Sequence, residues 1–323
     1  MNWITPSEAT IDTLRIQFHF LTVIMKKSNV YYEGMLFLIL AQVMVGVNIV
    51  FSKYVLASIP VLLVLTLRFT LAAMILLPLH WFSPAKKMTV SYYFLQLKKR
   101  DWFFIGAQAL SAGVLFNFFM LWGLKGTDAH VAGIISSALP AIIVLMSWII
   151  LGEKISGKNA ICVFFATLGL IIIACTKITG VQVNHSFRGD VLVLISLLPE
   201  AAYYILNKMH PNTLPVFLIS SLLNAINAIL LLIYLGFNVL DEVSIRFGDG
   251  LILLVLGLSS GLFYVFWNMG CQKVDQVMAS LSTAVMPLAT VLIAWVFLGE
   301  HLTSVQAIGM GMVILSIAVS AKR

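Results

Sequence analysis

Residues 115–161 read LFNFFMLWGLKGTDAHVAGIISSALPAIIVLMSWIILGEKISGKNAI, and residues 262–308 repeat this stretch without a gap as LFYVFWNMGCQKVDQVMASLSTAVMPLATVLIAWVFLGEHLTSVQAI. Pro140 aligns with Pro287, and about a third of the aligned positions are identical. The identities include Gly123 with Gly270, Trp148 with Trp295, and Leu-Gly-Glu at 151–153 with Leu-Gly-Glu at 298–300. The chain is therefore two copies of one unit, and its fold depends on how the two copies pack.

The composition predicts that both copies lie in a membrane. Of 323 residues, 61% are apolar and only 10% are charged, whereas roughly a quarter are charged in an average soluble domain. Apolar runs near the roughly 20 residues of a membrane-spanning helix occur at about 34–52, 61–80, 103–123, 130–150, 160–175, 190–207, 214–236, 250–270, 277–297 and 303–320. Backbone groups in hydrocarbon need internal hydrogen bonds, and barrel strands would be shorter and alternate in polarity. We therefore predict an all-α membrane protein with ten transmembrane helices.

The basic residues predict how this bundle is oriented. Fourteen Lys and Arg residues fall on one side of the predicted spans and five on the other, with the strongest cluster at 86–100. The positive-inside rule then places both termini in the cytoplasm. Topology accounts for the net charge of +7, and no basic stripe on a soluble domain indicates nucleic-acid binding. Three cysteines, Cys162, Cys175 and Cys271, lack metal-site spacing, so we predict no metal and no cofactor.

The repeat also predicts the domain organisation. Gly34 and the apolar run up to Lys53 align with Gly189 and the run up to Lys208. Each repeat then holds five helices, and an odd number forces the second copy to enter from the opposite face, which is the inverted architecture typical of carriers. The predicted segments are 1–33, a cytoplasmic leader that we hypothesise to be dispensable; 34–176, the first repeat; 177–188, a polar linker; and 189–321, the second repeat.

These residues resemble a known family. The chain is similar to the drug/metabolite transporter superfamily, of the EamA type with two EamA repeats, over about 34–320. The resemblance rests on Gly46, Asn48, Lys53, Pro60 and Arg68, on Gly189-Asp190, and on the signature P…W…LGE that occurs at 140–153 and 287–300. It implies an alternating-access carrier of the bacterial cytoplasmic (inner) membrane, often an exporter of amino acids or related metabolites.

Helix six carries the most polar side chains. Glu200, Tyr203, Tyr204 and Asn207 are spaced to share one helix face. A charge in mid-membrane costs roughly 2.5–3.5 kcal/mol on insertion scales, so each one needs a reason. We therefore predict that Glu200 and the two tyrosines bind substrate. Glu200 is also the candidate for proton coupling, and the alternative is a neutral glutamic acid bonded to a neighbouring helix.

Further polar and aromatic residues predict the remaining walls of a pocket for a small amphipathic solute. Helix eight presents Tyr264, Trp267 and Asn268, and helix three presents Asn117 and Trp122. Asn48 of helix one either lines the same site or bridges two helices. Packing is the alternative for each of these aromatic side chains.

Other residues are predicted to shape the protein. Pro140 and Pro287 are candidate flexing points for gating, with helix packing as the alternative. Arg68 is expected to be structural, and the alternatives are that it snorkels, pairs with a carboxylate or holds an anionic substrate group. Glu153 and Glu300 are expected to be structural, because each follows a helix-ending glycine and precedes a helix N-terminus.

Several functions remain open at this stage. The cargo is predicted to be an amino acid, with drugs, purines or other metabolites as alternatives. A channel or a non-transporting membrane scaffold is a different class. An intramembrane enzyme is disfavoured because the sequence has no HExxH or GxSxG motif and is predicted to place its histidines at or beyond helix ends. The predicted partners are a small solute, lipid and, as a coupling ion, protons. Oligomeric state stays undetermined.

Overall fold

The computed structural model describes residues 8–83, 88–153, 186–236, 246–274 and 282–300 and the single positions 157, 279, 304, 307, 308 and 311, with side chains from residue 29 onward. Its apolar runs form helices, because only a helix satisfies every backbone group within one segment. The helices are α1 (Glu8–Val55), α2 (Val61–Leu79), α3 (Val90–Leu95), α4 (Lys99–Gln108), α5 (Phe116–Leu124), α6 (Ala129–Ser136), α7 (Leu139–Leu151), α8 (Phe187–Met209), α9 (Val216–Gly236), α10 (Phe247–Cys271) and α11 (Val285–Leu298).

Seven stretches of helix are long and apolar enough to cross a membrane within the described residues. They are Asn29–Val55, Val61–Phe82, Lys99–Leu124, Ala129–Leu151, Phe187–Met209, Val216–Gly236 and Phe247–Cys271, and α11 is a shorter apolar helix. The prediction of an all-helical, multi-pass membrane protein is confirmed. The predicted spans at 160–175 and 303–320 lie outside the described residues, so the count of ten remains a prediction.

Two helices depart from a simple spanning rod. The α1 helix begins at Glu8 instead of near the predicted span start at Gly34, and residues 8–33 contain no glycine or proline that would end a helix. A π-helical segment, Ala109–Leu115, joins α4 to α5. Asn117 follows this segment and donates Nδ2 to the carbonyls of Ala112 and Gly113 at 2.8 and 2.7 Å.

Both repeats end a helix in the same way after the aligned proline. Pro140 lies in the first turn of α7 and Pro287 in the first turn of α11. Gly152 and Gly299, which follow these helices, both adopt a left-handed φ of 67°. Because only glycine adopts this conformation without a steric penalty, the repeated Leu-Gly-Glu triplet is in part a helix-ending signal.

Repeated glycines allow two pairs of helices to approach closely. A Cβ atom at Gly123 of α5 would lie 2.9 Å from the carbonyl oxygen of Gly189 in α8. A Cβ atom at Gly270 of α10 would lie 3.1 Å from the carbonyl oxygen of Gly34 in α1. Gly123 aligns with Gly270, and Gly34 with Gly189. The two contacts are therefore equivalent. In one, the aligned glycine of the first repeat meets the second repeat, and in the other the aligned glycine of the second repeat meets the first.

The other helix contacts follow the same exchange. The first helix of the first repeat, α1, contacts α10 and α11. Its equivalent in the second repeat, α8, contacts α5 in place of α10, and α6 and α7 in place of α11. Contacts of α2 with α10 correspond to contacts of α9 with α4 and the π-helical segment. The contact of α2 with α9 joins equivalent helices of the two repeats, and α6 contacts α11, the equivalent of α7. The pattern is that of an approximate two-fold relation between the repeats.

Polar contacts define two ends of the bundle. At the first, which we call the Lys53 end, α1 and α5 end and α6 and α8 begin, and Glu300 reaches the start of α6. At the second, the Glu33 end, α1 enters its spanning part, while α7, α8 and α10 end. The spanning part of α1 therefore begins at the Glu33 end, and α8, its sequence equivalent, begins at the Lys53 end.

Candidate functional site

A small cavity lies within the bundle, between helices of both repeats. Its volume is about 30 Å³, and a water molecule needs roughly 10–15 Å³ of such space, so it has room for about two waters. A typical small-molecule site is about 300–1,000 Å³, and this cavity must widen before it can hold a metabolite. The lining residues are Val45, Asn48, Arg68, Phe69, Ala112, Phe116, Asn117, Glu200, Ser260, Phe263 and Tyr264.

Asn48 joins three helices at one side of this cavity. Its Oδ1 accepts hydrogen bonds from Arg68 Nη1 of α2 at 3.2 Å and from Ser260 Oγ of α10 at 3.0 Å. Its Nδ2 donates to the carbonyl of Met44, one turn earlier in α1, at 3.0 Å. Both ends of the Asn48 amide are therefore used, and Asn48 bridges helices and lines the cavity; its role in binding substrate remains a prediction.

Arg68 is more than 98% buried, although it carries a charge that lipid disfavours. Its side chain is 1% exposed, and its guanidinium carbon lies 4.9 Å from the centroid of the Phe69 ring. Among the residues that the structure describes, none accepts a hydrogen bond from its Nε–H group. The structure thus places Arg68 in the cavity wall. The structural role that we expected from the sequence remains a prediction.

Glu200 lies in the same cavity and begins a chain of hydrogen bonds. Its Oε1 accepts the hydroxyl of Tyr204 at 3.0 Å, and the Tyr204 oxygen in turn accepts Gln42 Nε2 of α1 at 3.3 Å. All three side chains are buried. Gln42 was not singled out by sequence reasoning, although a polar residue inside an apolar span was the signal that could have found it.

An aromatic layer covers the cavity on the side of the Glu33 end. Tyr204 and Trp267 lie with ring centroids 4.6 Å apart, and Tyr203 packs against Tyr264 at 5.9 Å. The Tyr203 hydroxyl and the Trp267 Nε1 are buried without a hydrogen-bond partner.

A second, smaller cavity lies beyond this layer. It measures about 20 Å³, which fits one or two waters. Tyr204, Trp267 and Lys208 are among its lining residues, together with Ile143, Ser147, Ile205, Asn207, Cys271 and Ala279. A line of small spaces therefore runs from Glu200 past Tyr204 to Lys208 at the Glu33 end.

The structure places three other predicted pocket residues in three different environments. Asn117 lines the central cavity but its Nδ2 is bonded to the π-helical segment. Asn268 is buried and donates to the carbonyl of Tyr264, away from the cavity wall. Trp122 lies outside the cavity, 43% exposed, with Lys125 Nζ 4.8 Å from its ring centroid. A helix face read from periodicity cannot separate the inner from the outer side of a bundle.

Glu300 has a structural partner that the sequence did not indicate. Its carboxylate accepts the backbone N–H groups of Ala129 at 3.1 Å and His130 at 2.7 Å, and its Oε2 lies 2.9 Å from Nδ1 of His130. The expected partner was the helix that follows Glu300 in the chain. The observed partner is the N-terminus of α6 in the other repeat, where helix dipole and free N–H groups favour a carboxylate.

The surroundings of Glu300 change its acidity. Burial by itself would raise the pKa of Glu300, but the hydrogen bonds from the His130 side chain and from the two backbone N–H groups outweigh burial. The pKa of Glu300 is consequently held below its ordinary value of 4.5. The carboxylate is thus ionised at neutral pH and available to cap α6.

Glu153, aligned with Glu300, makes a different contact. Its Oε1 accepts Lys208 Nζ at 2.5 Å, and both side chains are partly exposed. Pro287 also lies at a contact between the repeats: a Cβ at Gly133 of α6 would lie 3.5 Å from the Pro287 carbonyl. Whether Pro140 and Pro287 act in gating remains a prediction.

Comparison with known proteins adds to this geometry. The model of the EamA-like transporter family matches residues 32–175 and again 187–321. An uncharacterized transporter, YetK of Bacillus subtilis (strain 168), is 27% identical over 291 residues, covering 87% of this chain and 84% of the relative. A second, YyaM of the same strain, is 25% identical over 256 residues, covering 77% and 81%.

One archaeal relative and one solved structure extend the comparison. An uncharacterized transporter of Archaeoglobus fulgidus is 25% identical over 218 residues, covering 65% of this chain and 74% of the relative. A solved structure described as "Crystal structure of protein" superposes with a TM-score of 0.66 at 16% identity, over 91% of this chain and 96% of that one, and shares the fold.

The geometry and these matches agree on the class of protein, a multi-pass membrane transporter built from two repeats. The chain belongs to the EamA-like transporter family, with one EamA repeat in each half. The family resemblance read from the sequence is thereby confirmed.

Proposed function

We propose that this transporter is an alternating-access carrier that exports a small metabolite, with amino acids as the first candidate cargo. The observation that carries the proposal is the small cavity that is walled by helices of both repeats and lined in part by the polar side chains of Asn48, Arg68 and Glu200. A continuous channel would need an open path instead. In a carrier, the repeats rock about such a site so that it opens to one face at a time.

The proposed architecture is a pair of inverted five-helix repeats within 34–176 and 189–321. It is supported by the paired helix contacts and by the start of the α1 span and of α8 at opposite ends. We propose that the Glu33 end is cytoplasmic, since Lys98, Lys99, Arg100, Lys208 and Lys273 belong to it. The protein would then lie in a bacterial inner membrane with both termini inside.

Labelling of single cysteines tests this topology. On a background without the three native cysteines, Ser58→Cys near the Lys53 end should react with a membrane-impermeant maleimide from the outside of intact cells. Lys99→Cys at the other end should react only after the cells are opened. Labelling of both positions from the outside would contradict the assignment of the two ends to opposite faces of the membrane.

Counterflow in proteoliposomes tests the carrier. Proteoliposomes that contain the purified protein are loaded with an unlabelled solute. Entry of a trace amount of the same labelled solute is then followed for a set of amino acids, purines, organic acids, amines and sugars. A carrier shows saturable, transient accumulation of its own cargo and passes no steady ionic current in planar bilayers. Absence of counterflow for every solute would contradict the proposal, and flux of a purine alone would contradict only the amino-acid cargo.

We further propose that Glu200 couples transport to protons. Support comes from its position in the cavity and from the hydrogen-bonded line through Tyr204 toward the small cavity at Lys208. An imposed pH gradient should drive uptake by the native protein and should not drive it in Glu200→Gln, while counterflow, which needs no gradient, should persist in the variant. An unchanged response of Glu200→Gln to the gradient would remove Glu200 as the coupling residue.

A further inference from the structure

The π-helical segment between α4 and α5 leaves one backbone carbonyl open, and a side chain fills it. The Phe116 N–H group bonds to the carbonyls of Ser111 and Gly113, five and three residues earlier, whereas an α-helical N–H group bonds to the carbonyl four residues earlier. The carbonyl that is passed over belongs to Ala112, and Asn117 Nδ2 donates to it at 2.8 Å. Asn117 therefore holds the wide turn of this segment in its present position.

A second asparagine lies against the same turn and makes no hydrogen bond within the described part of the chain. A Cβ atom at Gly113 would overlap the side-chain amide of Asn227 in α9, so the two residues are in direct contact. Asn227 is fully buried, and neither its Nδ2 nor its Oδ1 has a hydrogen-bond partner among the residues that the structure describes. An unpaired buried amide is unfavourable. It indicates a side chain whose partner is supplied by another conformation.

The matching part of the second repeat is a regular helix. Phe116 and Asn117 align with Phe263 and Tyr264, and all four residues line the central cavity. Phe263 and Tyr264 lie within the continuous α-helix α10. The two repeats thus present the same positions to the cavity, and the first repeat places an extra residue directly before them.

Contacts at both ends of this helix limit how it can change. At the start of α4, Asp101 Oδ1 lies 2.6 Å from His210 Nε2, and at the end of α5 the Leu124 carbonyl accepts Lys53 Nζ at 2.7 Å. Rotation of the whole of α5 would break the second contact. A one-residue move of the wide turn along the helix leaves both ends in place. Such a move turns the residue that enters the wide turn by up to about 100°, the angle per residue of an α-helix.

The hydrogen bonds identify the result of one such step toward α5. The Asn117 N–H group would bond to Ala112, five residues earlier, and the open carbonyl would then be that of Gly113, which is the residue that Asn227 contacts. Phe116 would enter the wide turn. We propose that the wide turn moves by one residue when the central cavity widens, so that Asn227 replaces Asn117 on the open carbonyl and Phe116 turns out of the cavity wall.

This step supplies what the proposed carrier needs, and the inference rests on that function. The cavity measures about 30 Å³, whereas a site for a small molecule measures roughly 300–1,000 Å³. Movement of the Phe116 ring enlarges the cavity, and release of Asn117 Nδ2 gives the widened cavity a free hydrogen-bond donor.

Hydrogen exchange followed by mass spectrometry tests the movement without any solute. Peptides that cover 109–118 and 256–265 compare the π-helical segment with the matching part of α10 in the native protein in detergent. Because the movement breaks and re-forms backbone hydrogen bonds, the first peptide should exchange about tenfold faster or more. Deletion of Leu110, an exposed residue of the segment, removes the extra residue and should slow this exchange to that of the second peptide. Equal exchange of both peptides in the native protein would overturn the proposal.

Two asparagines of α9 provide matched variants for transport. Asn227→Leu removes the replacement donor together with its unpaired amide, so the thermal unfolding midpoint in detergent should be retained or raised. Counterflow of a solute that the native protein accepts from the set above should fall about tenfold, since the widened state is less populated, and exchange in 109–118 should slow. Asn224→Leu is the control, one turn earlier and equally buried, with Nδ2 bonded to the Ser220 carbonyl. It should retain both counterflow and exchange.

The outcomes separate the movement from the carrier function. Counterflow should also be lost in the Leu110 deletion, and undiminished counterflow there or in Asn227→Leu overturns the inference and leaves the carrier standing. Equal losses in Asn227→Leu and Asn224→Leu also overturn it. Fast exchange of 109–118 that Asn227→Leu slows, without counterflow of any solute by the native protein, supports the movement and contradicts the carrier. If the Leu110 deletion does not fold, the two asparagine variants decide.

Discussion

The two ends of the bundle are closed by different kinds of contact. At the Lys53 end, side chains bond to the backbone: Glu300 caps α6, and Lys53 Nζ donates to the carbonyls of Leu124 and Thr127 at 2.7 and 2.9 Å. The Ser186 N–H also donates to the Gly126 carbonyl across the repeats at 2.6 Å. At the Glu33 end, side chains pair with side chains, as in Glu33 with Lys273 and Glu153 with Lys208.

This difference indicates which end opens more easily. The two carboxylates at the Glu33 end are 49% and 47% exposed, whereas Glu300 is 13% exposed. Exposed ion pairs contribute about 0–1 kcal/mol, and a carboxylate that caps buried backbone N–H groups contributes about 0.5–2 kcal/mol. We therefore expect the contacts at the Glu33 end to break before those at the Lys53 end. The following variants test that order.

The largest effect is expected from a glycine at the Lys53 end. A Cβ at Gly189 would lie 2.4 Å from Thr127 Oγ1 and 2.9 Å from the backbone of Gly123 and Gly126. Gly189→Ala should destabilise the protein by about 1–3 kcal/mol, because backbone cannot move aside cheaply. The measurement is the thermal unfolding midpoint in detergent. Gly106→Ala, where nothing lies within 4 Å of the added atom, is the control, and an equal effect there would contradict the prediction.

The two aligned glutamates give a direct comparison of the ends. Glu300→Gln replaces the charged cap by a neutral amide of the same shape and should cost about 1–2 kcal/mol. It should also raise labelling of a cysteine placed at Ser58. Glu153→Gln should cost less than about 1 kcal/mol, since its pair with Lys208 is partly exposed. Equal losses in the two variants would contradict the difference between the ends.

The acidity of Glu300 predicts a pH dependence. Because its pKa is lower in the folded protein than the ordinary 4.5, the stabilisation is fully present above that value and is lost as the pH falls through the lower, folded value. The gap in unfolding midpoint between the native protein and Glu300→Gln should be constant near neutral pH and should narrow below 4.5. A gap that widens on acidification would contradict this assignment.

The smallest effect is expected from salt at the Glu33 end. The Lys208–Glu153 pair, with side chains 30% and 47% exposed, should lose most of its contribution of about 0–1 kcal/mol at high ionic strength. A double-mutant cycle with Lys208→Gln and Glu153→Gln should give a coupling that vanishes in about 1 M salt. Coupling that survives high salt would mean that the pair is more protected than its exposure indicates.

The sequence predicted more of the fold than of the site. Periodic apolar runs and the repeat predicted the seven spanning helices that the structure describes and the shorter apolar helix α11, and the aligned glycines were visible before their role in close packing. The polar positions Asn48, Asn117, Glu200 and Tyr264 line the central cavity, and their role in binding substrate remains a prediction. Trp122 was misplaced, because an aromatic residue suits lipid and a pocket equally well, and periodicity alone does not give the direction of a helix face.

The partners of the charged side chains could not be predicted from the sequence, for a related reason. Glu300 caps a helix about 170 positions earlier in the chain, and only the packing of α6 against α11 brings them together. The sequence identified Arg68 as a charge that is costly within a membrane span. Whether an acidic side chain lies beside it depends on which side chains surround it in three dimensions. The π-helical segment before Asn117 likewise leaves no clear mark in a run of small and apolar residues.

The sequence by itself determined that this protein is a duplicated, helical membrane transporter. Apolar length and repeat spacing are local properties, and lipid leaves the backbone no alternative to the helix. Tertiary structure alone decided that Arg68 and Glu200 share one cavity without pairing, and that aligned glutamates close the two ends differently. Those facts depend on which helices meet, and contact between distant segments is set by packing rather than by any local pattern.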